Sequence, residues 1–362
     1  PDAPEHLKSI RKRTPISRNS INVDDLGLVI LRSHSKKPET MLTIKYGGIY
    51  GGHDHADKLD ITLFAESREM LSDLGYVYSS HQNIFTWMQR SIAHNTVTVD
   101  GINQRYMHGA CELFHSKPGF QVAETRNPWI YHTITDVFNR QIIHVERENR
   151  DYVIDIFRVS GGTMHDWSVH AETSDLQLEG VHLNKMTGIN GRDYAYEHLK
   201  NVRTAKFSNG FKALWNWWEE PLASLKLHLI SPDEAQIFLA NAPAQRKIGQ
   251  EGRILPYIII RTEEKNNTTF IAVWEPFSVT PALESVQLNM LKETSKKSWP
   301  IVIQIKWKDG VEDFITSDLT DQPDEKIKIY GQEINLNGRI GLIRFQNDEM
   351  KQKEWVTAFL EN

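Results

Sequence analysis

Two histidines separated by one residue lie in a glycine-rich stretch, and side chains of this type can bind a metal ion or transfer protons. The stretch is residues 46–58, YGGIYGGHDHADK, and the pair is His53 and His55. In an extended strand, alternate side chains project from one face, so both imidazoles can serve one site. The pair can chelate one metal, or one ring can bind metal while the other does acid–base work. The glycines allow close approach to the backbone, which is typical of a site rather than a packed strand.

The same histidine pair permits a second interpretation. Residues 53–57, HDHAD, match the start of the His-x-His-x-Asp-His signature of metallo-β-lactamase-like hydrolases, in which Asp57 would be a ligand and two metals would bind. The sixth position is Lys58 instead of histidine. The chain also does not show the alternating helices and strands expected for that class. A metallohydrolase therefore remains the lesser alternative.

The elements that must position these histidines are predicted to be β-strands. Short runs of alternating apolar and polar residues, bounded by turn residues, recur along the chain, for example at 26–33, 41–46 and 152–159. Residues 301–307, followed by KDG, give the strongest hairpin signal. Strands without intervening helices pair antiparallel and stack as sheets. The sequence therefore predicts an all-β fold: a large antiparallel β-sandwich of stacked sheets with a smaller C-terminal β module.

The pattern divides the chain into three parts. Residues 1–24 fit no strand pattern and are interpreted as an exposed connector. Residues 25–278 form the predicted β-sandwich. After residue 278 the composition shifts toward lysine and aspartate, and residues 279–362 are predicted to form the small terminal module.

Composition excludes several classes of protein. The formal net charge of −5 disfavours a nucleic-acid surface, which needs clustered lysine and arginine. We see no apolar run long enough to cross a bilayer, so we predict no membrane partner. The single cysteine, Cys111, excludes an internal disulfide and a thiolate metal cage.

Several blocks of sequence, in order along the chain, resemble the heparinase II/III-like family of polysaccharide lyases. They are residues 51–60 (GGHDHADKLD), 71–76 (LSDLGY), 93–104 (AHNTVTVDGINQ), 152–155 (YVID) and 165–170 (HDWSVH). Separate blocks in the same order are more specific than any one of them.

The resemblance assigns different roles to the two histidines. It implies that His53 lies in the catalytic cleft, and that His55, Asp73 and His94 hold a metal. The metal implied is one chiefly structural Zn²⁺ per chain, with another divalent cation as the alternative. Two imidazoles and a carboxylate suit zinc. Taken alone, Asp73 could equally begin a turn and His94 could be a core histidine.

A lyase that acts on uronic acids must neutralise the carboxylate, remove the C5 proton and protonate the leaving oxygen. The candidates on this chain are His53, Tyr76 and Arg90, with Arg90 suited to a carboxylate or sulfate. Aromatic packing in a β core is the alternative for each aromatic residue. Candidates for substrate contact are Tyr50, Trp87 and Gln104.

The resemblance also sets expectations about partners. It implies an anionic polysaccharide or oligosaccharide as substrate, and an upstream α/α toroid domain that carries the main catalytic tyrosine. No segment here has that helical pattern, so we interpret the chain as part of a longer enzyme whose connector is residues 1–24. A periplasmic or secreted location is expected, and a homodimer is compatible with the sequence. A non-catalytic carbohydrate-binding domain is the alternative function.

Overall fold

The computed structural model describes residues 18–48, 54–75, 84–230, 234–293, 295 and 298–357, and almost all of its regular structure is strand. The strands are β1 Ile21–Val23, β2 Leu28–Arg32, β3 Met41–Lys45, β4 Asp60–Ala65, β5 Arg68–Leu71, β6 Val97–Val99, β7 Ala110–Lys117, β8 Phe120–Arg126, β9 Val137–Arg147, β10 Arg150–Ser160, β11 Met164–His170, β12 Leu176–Glu179, β13 Asn184–Lys185, β14 Lys200–Phe207, β15 Phe211–Trp217, β16 Ala223–Ile230, β17 Ala235–Pro243, β18 Ile254–Glu263, β19 Asn267–Phe277, β20 Leu283–Leu291, β21 Ile301–Trp307, β22 Val311–Ser317, β23 Lys326–Ile329, β24 Gln332–Asn335, β25 Ile340–Gln346 and β26 Glu349–Val356. Short helical turns occur at Asp24–Leu26, Ile84–Met88, Ser91–Ala93 and Tyr194–His198. No helix in the described part of the chain is long and apolar enough to cross a membrane.

The strands form antiparallel sheets that stack on one another. Five strands pair in the order β1-β2-β3-β4-β5, eight as β12-β15-β16-β19-β10-β9-β8-β7, and six as β13-β14-β17-β18-β11-β6. The C-terminal part contributes a five-stranded sheet, β20-β21-β22-β25-β26, and the hairpin β23-β24. The prediction of an all-β fold of stacked antiparallel sheets is confirmed.

The eight-stranded sheet is the middle layer, because its two faces belong to different cores. Alternate side chains of β10 show this clearly. Val153 and Phe157 pack in the core shared with the β1–β5 sheet and the six-stranded sheet. Ile154 and Ile156 pack in the core shared with the C-terminal sheet. Because both faces are covered, every residue of β10 after Arg150 is buried.

The first sheet includes residues that the sequence did not predict to be a strand. Ile21–Val23 lies within the predicted connector and pairs with β2, Ile21 opposite Ile30. Three residues are too short a run to show an alternating pattern. β2 starts at Leu28, two residues later than the pattern indicated, because Asp24–Leu26 forms a helical turn that Gly27 ends with a φ of 59°.

A buried ion pair joins the middle sheet to the segments around the histidines. Arg140 on β9 donates from Nε and Nη2 to the two carboxylate oxygens of Asp155 on β10, at 2.8 and 2.5 Å. Its Nη1 donates to the carbonyl oxygens of Leu59 and Asn95. Both charged side chains are fully buried, so the carbonyls and the carboxylate together replace the hydration of the guanidinium.

Substitution of Asp155 should therefore destabilise the protein strongly. We expect Asp155→Asn to lower the free energy of unfolding by about 3–5 kcal/mol, because the buried guanidinium loses its counter-charge. The matched control is Glu39→Gln, which breaks the more exposed 3.1 Å pair with Arg32 and should change stability by about 0–1 kcal/mol. Equal urea midpoints for the two variants would contradict this role.

Candidate metal centre

Four side chains with metal-ligating atoms converge between the first sheet and the segment before β6. They are His55, Asp57, Asp73 and His94, and one possible ligand atom from each lies within 4.8 Å of the others. His55 and Asp57 lie between β3 and β4, Asp73 follows β5, and His94 follows the turn Ser91–Ala93. The structure thus brings together the three residues predicted to hold a metal and adds Asp57.

His94 is oriented for a ligand by a backbone carbonyl. Its Nε2 donates to the carbonyl oxygen of Met88 at 2.8 Å, since a carbonyl can only accept. Its Nδ1 is buried and lies 3.1 Å from Oδ2 of Asp73, although the pair lacks hydrogen-bond geometry. Burial acts to lower the pKa of His94, but Asp73, Asp57 and Asp60 outweigh it and raise the pKa to about 9. A cation at this position would replace the Nδ1 proton.

The pKa of His55 is shifted in the opposite direction from that of His94, toward the neutral ring. Burial, together with the neighbouring His94, lowers the pKa of His55 to about 4. The two rings lie 5.3 Å apart, and His55 Nδ1 is 4.0 Å from Asp73 Oδ2. Nε2 of His55 is buried and has no hydrogen-bond partner among the described residues. A buried, unpaired and neutral imidazole is suited to bind a metal ion.

Asp73 serves the turn and the centre with different oxygens. Oδ1 accepts the backbone N–H of Gly75 at 2.5 Å, and Oδ2 faces the two histidines. Burial alone would raise its pKa, but His94, His55 and the Gly75 amide hold the pKa of Asp73 far below its usual range. The turn role and the ligand role, alternatives in the sequence, are therefore compatible in one residue.

Asp57 is already neutralised by two lysines. Its Oδ2 accepts from Lys45 at 2.7 Å and its Oδ1 from Lys58 at 3.0 Å. Burial acts to raise the pKa of Asp57, but His94, Lys45 and Lys58 keep it below the usual value. Asp57 therefore fits electrostatic support of the centre better than direct ligation. This weakens the metallohydrolase alternative, whose α/β architecture the all-β fold also lacks.

Lys58, where the hydrolase signature would have a histidine, is a structural cation. Its buried Nζ donates to both oxygens of Asp54 at 3.1 Å and to the backbone carbonyl of His55 at 2.9 Å. These bonds, with that to Asp57, fix the segment that carries His55. The lysine at the end of the HDHADK motif is the sequence feature that could have indicated this structural role. Nothing in the sequence near Lys45 indicates that Lys45 binds Asp57.

Two of the predicted substrate contacts, Trp87 and Gln104, are buried. Trp87 is fully buried, donates from its indole N–H to the Pro243 carbonyl at 2.8 Å and packs edge-on against Tyr257. It is a core residue without a face for a sugar. Gln104 is also buried, and it accepts the N–H of Lys58 at 2.7 Å while donating to the Lys58 carbonyl at 3.1 Å. It therefore supports the His55 segment.

Of the other predicted catalytic and substrate-binding residues, only Arg90 lies in the described part of the chain. Arg90 is described, and its side chain is partly exposed beside Asp193. The predicted catalytic residues His53 and Tyr76 and the predicted substrate contact Tyr50 lie outside the described residues.

A family profile and a relative of known activity each match part of this chain. The profile of a family described as Heparinase II/III-like, C-terminal, matches residues 15–205. An exo-oligoalginate lyase of Saccharophagus degradans is 24% identical over 265 residues, which cover 62% of this chain and 34% of that protein.

Two solved structures share the fold of this chain. The heparan sulfate lyase HepC from Pedobacter heparinus superimposes with a TM-score of 0.62 at 14% identity, covering 87% of this chain and 45% of HepC. A heparinase III gives a TM-score of 0.59 at 16% identity, with 87% and 44% covered. At such identities the likeness shows the fold alone.

The chain spans less than half the length of each of these three relatives. The family match nevertheless covers more than half of the chain itself, and it includes every residue of the candidate centre. The chain belongs to the heparinase II/III-like C-terminal family.

Proposed function

We propose that this chain supplies the sheet-side half of the active site of a polysaccharide lyase that cleaves a uronate-containing polymer by β-elimination. The observation that carries the proposal is the centre of His55, Asp73 and His94 in a chain of this family, with His53 two residues before His55. An exo-oligoalginate lyase and a heparan sulfate lyase among the similar proteins support an anionic substrate. The location proposed for such an enzyme is the periplasm or the exterior.

In the proposed reaction a base removes the C5 proton of the uronic acid, the electron pair forms the C4–C5 double bond, and the C4–O bond breaks. The leaving oxygen takes a proton. His53 would remove the proton or neutralise the carboxylate, and Tyr76 would act as acid or base. An upstream α/α toroid domain would supply the opposite wall of the cleft and the main catalytic tyrosine.

The metal proposed for the centre is one structural Zn²⁺, held by His55, Asp73 and His94. The donor set fits zinc, and Oδ2 of Asp73 lies within 4.0 Å of a ring nitrogen of each histidine. Bound there, the ion would cross-link the segments before β4, after β5 and before β6, and so fix the backbone next to His53. Another divalent cation that accepts nitrogen ligands is the alternative.

Substitution of Asp73 should release the metal. We expect about one zinc per wild-type chain from elemental analysis after dialysis, and a clear loss in Asp73→Ala because a charged ligand is removed. The control is Asp57→Asn, which keeps the side-chain shape and should retain the zinc. Two metals per wild-type chain, with one lost in Asp57→Asn, would support the metallohydrolase instead.

Catalysis should depend on His53 and not on the exposed His182. With full-length protein and alginate, hyaluronan or heparin-like polymers, one substrate should yield an unsaturated product that absorbs in the ultraviolet. His53→Ala should lower kcat by about 10²–10⁴-fold, the usual contribution of general acid–base catalysis, with zinc content unchanged. The exposed His182 provides the control variant, His182→Ala. Polymer binding without product, unaffected by His53→Ala, would indicate the non-catalytic binding domain.

A further inference from the structure

Residues 88–90, here termed the strap, connect the metal centre to the protein surface. The carbonyl of Met88 accepts from Nε2 of His94 at 2.8 Å, and the carbonyl of Gln89 accepts the backbone N–H of Ala56 at 3.2 Å. The strap thus contacts His94, one candidate ligand, and Ala56, which directly follows the candidate ligand His55. Arg90 is the next residue, so its backbone position is set by the centre.

The Arg90 guanidinium is held over an aromatic ring at the surface. Its guanidinium carbon lies 4.4 Å from the centre of the Tyr194 ring, Nε donates to the Phe85 carbonyl at 2.7 Å, and Nη1 is 3.5 Å from Asp193 Oδ2. Tyr194 itself donates to the Phe85 carbonyl at 3.0 Å. The position of the guanidinium is therefore set in advance of any ligand.

Part of this assembly remains open to solvent. The Arg90 side chain is 24% exposed and Tyr194 is 44% exposed. Within the described part of the chain, the contacts of Arg90 use Nε and Nη1, which leaves Nη2 for a ligand. A guanidinium edge beside an exposed aromatic ring can bind a carboxylate while the ring packs on the C–H face of the same sugar.

Tyr106 borders the same surface from a second loop. It is 44% exposed and follows Gln104, whose backbone N–H donates to Ser91 Oγ at 2.8 Å next to Arg90. Beyond it, the N–H of Gly109 donates to the Tyr46 carbonyl at 2.8 Å. The loop is therefore anchored on both sides of an exposed tyrosine.

Charged groups from two neighbouring segments act on the Tyr106 hydroxyl. Burial raises its pKa, and the charged groups that act on it are Arg90, Asp54, Asp57 and Lys45. Asp54 directly follows His53 in sequence. Tyr106 thus lies within electrostatic range of both Arg90 and Asp54.

We propose that Arg90, stacked on Tyr194, forms with Tyr106 a subsite for one uronic-acid residue, in which Arg90 binds the carboxylate and the tyrosine rings contact the sugar. The assignment rests on the proposed function and adds to it the groups that select a carboxylate-bearing sugar. The turn Tyr194–His198 becomes part of the substrate surface, although Tyr194 lies a hundred residues after His94 in the sequence.

The test compares native uronate oligomers with carboxyl-reduced oligomers of the same length, using alginate and hyaluronan as probes and calorimetric binding to the zinc-loaded protein. The wild type should bind one native oligomer about 10–100-fold more tightly than its reduced form, as one charge-assisted contact provides. Arg90→Gln should remove that preference by weakening only the native oligomer. Tyr194→Leu should weaken both oligomers, whereas Tyr194→Phe keeps the ring and should weaken neither by more than about threefold.

The control variant is Arg126→Gln, an exposed arginine on β8 paired with Glu112, and it should leave the preference intact. Zinc content shows whether each variant keeps the centre. A preference that survives in Arg90→Gln, or a wild type that binds both oligomers equally, would overturn the subsite. Because the readout is binding, these results are separate from the product assay, whose failure would overturn the lyase reaction instead.

Discussion

The pairing of Arg140 with Asp155 is the interaction on which the position of the centre depends. The pair belongs to the middle sheet, yet the same guanidinium binds the carbonyls of Leu59 and Asn95. Leu59 precedes β4 and Asn95 directly follows His94. One buried cation therefore sets the spacing between the loop that carries His55 and the turn that carries His94.

Charge compensation then decides which carboxylate is available to a metal. Lys45 and Lys58 occupy both oxygens of Asp57, while Asp73 keeps one oxygen directed at the histidines. Both carboxylates belong to one buried cluster, but only Asp73 lacks a lysine partner within the described residues. The two neighbouring histidines differ in pKa. The pKa of His94 is raised, which stabilises the protonated ring, whereas that of His55 is lowered, which stabilises the neutral ring.

The sequence was most informative where chemistry depends on residue type at short range. Alternating strands gave the fold class, and the ordered blocks identified His55, Asp73 and His94 as one group. Burial was harder to predict, because it depends on which layer lies over a side chain. Trp87 and Gln104 were predicted to contact the substrate, but both side chains are buried. The hydrogen bond from His94 to the Met88 carbonyl could not be predicted from the sequence, because every residue type has a backbone carbonyl.

The two-sided burial of β10 has a consequence for how the chain can be divided. Residues Ile303, Ile305 and Leu342 of the C-terminal sheet cover Ile154 and Ile156 in one core. A gene truncated after residue 278 would leave that sheet face bare, and a broad apolar sheet in water is prone to self-association. The stretch interpreted from the sequence as a small terminal module thus shares a core with the middle sheet.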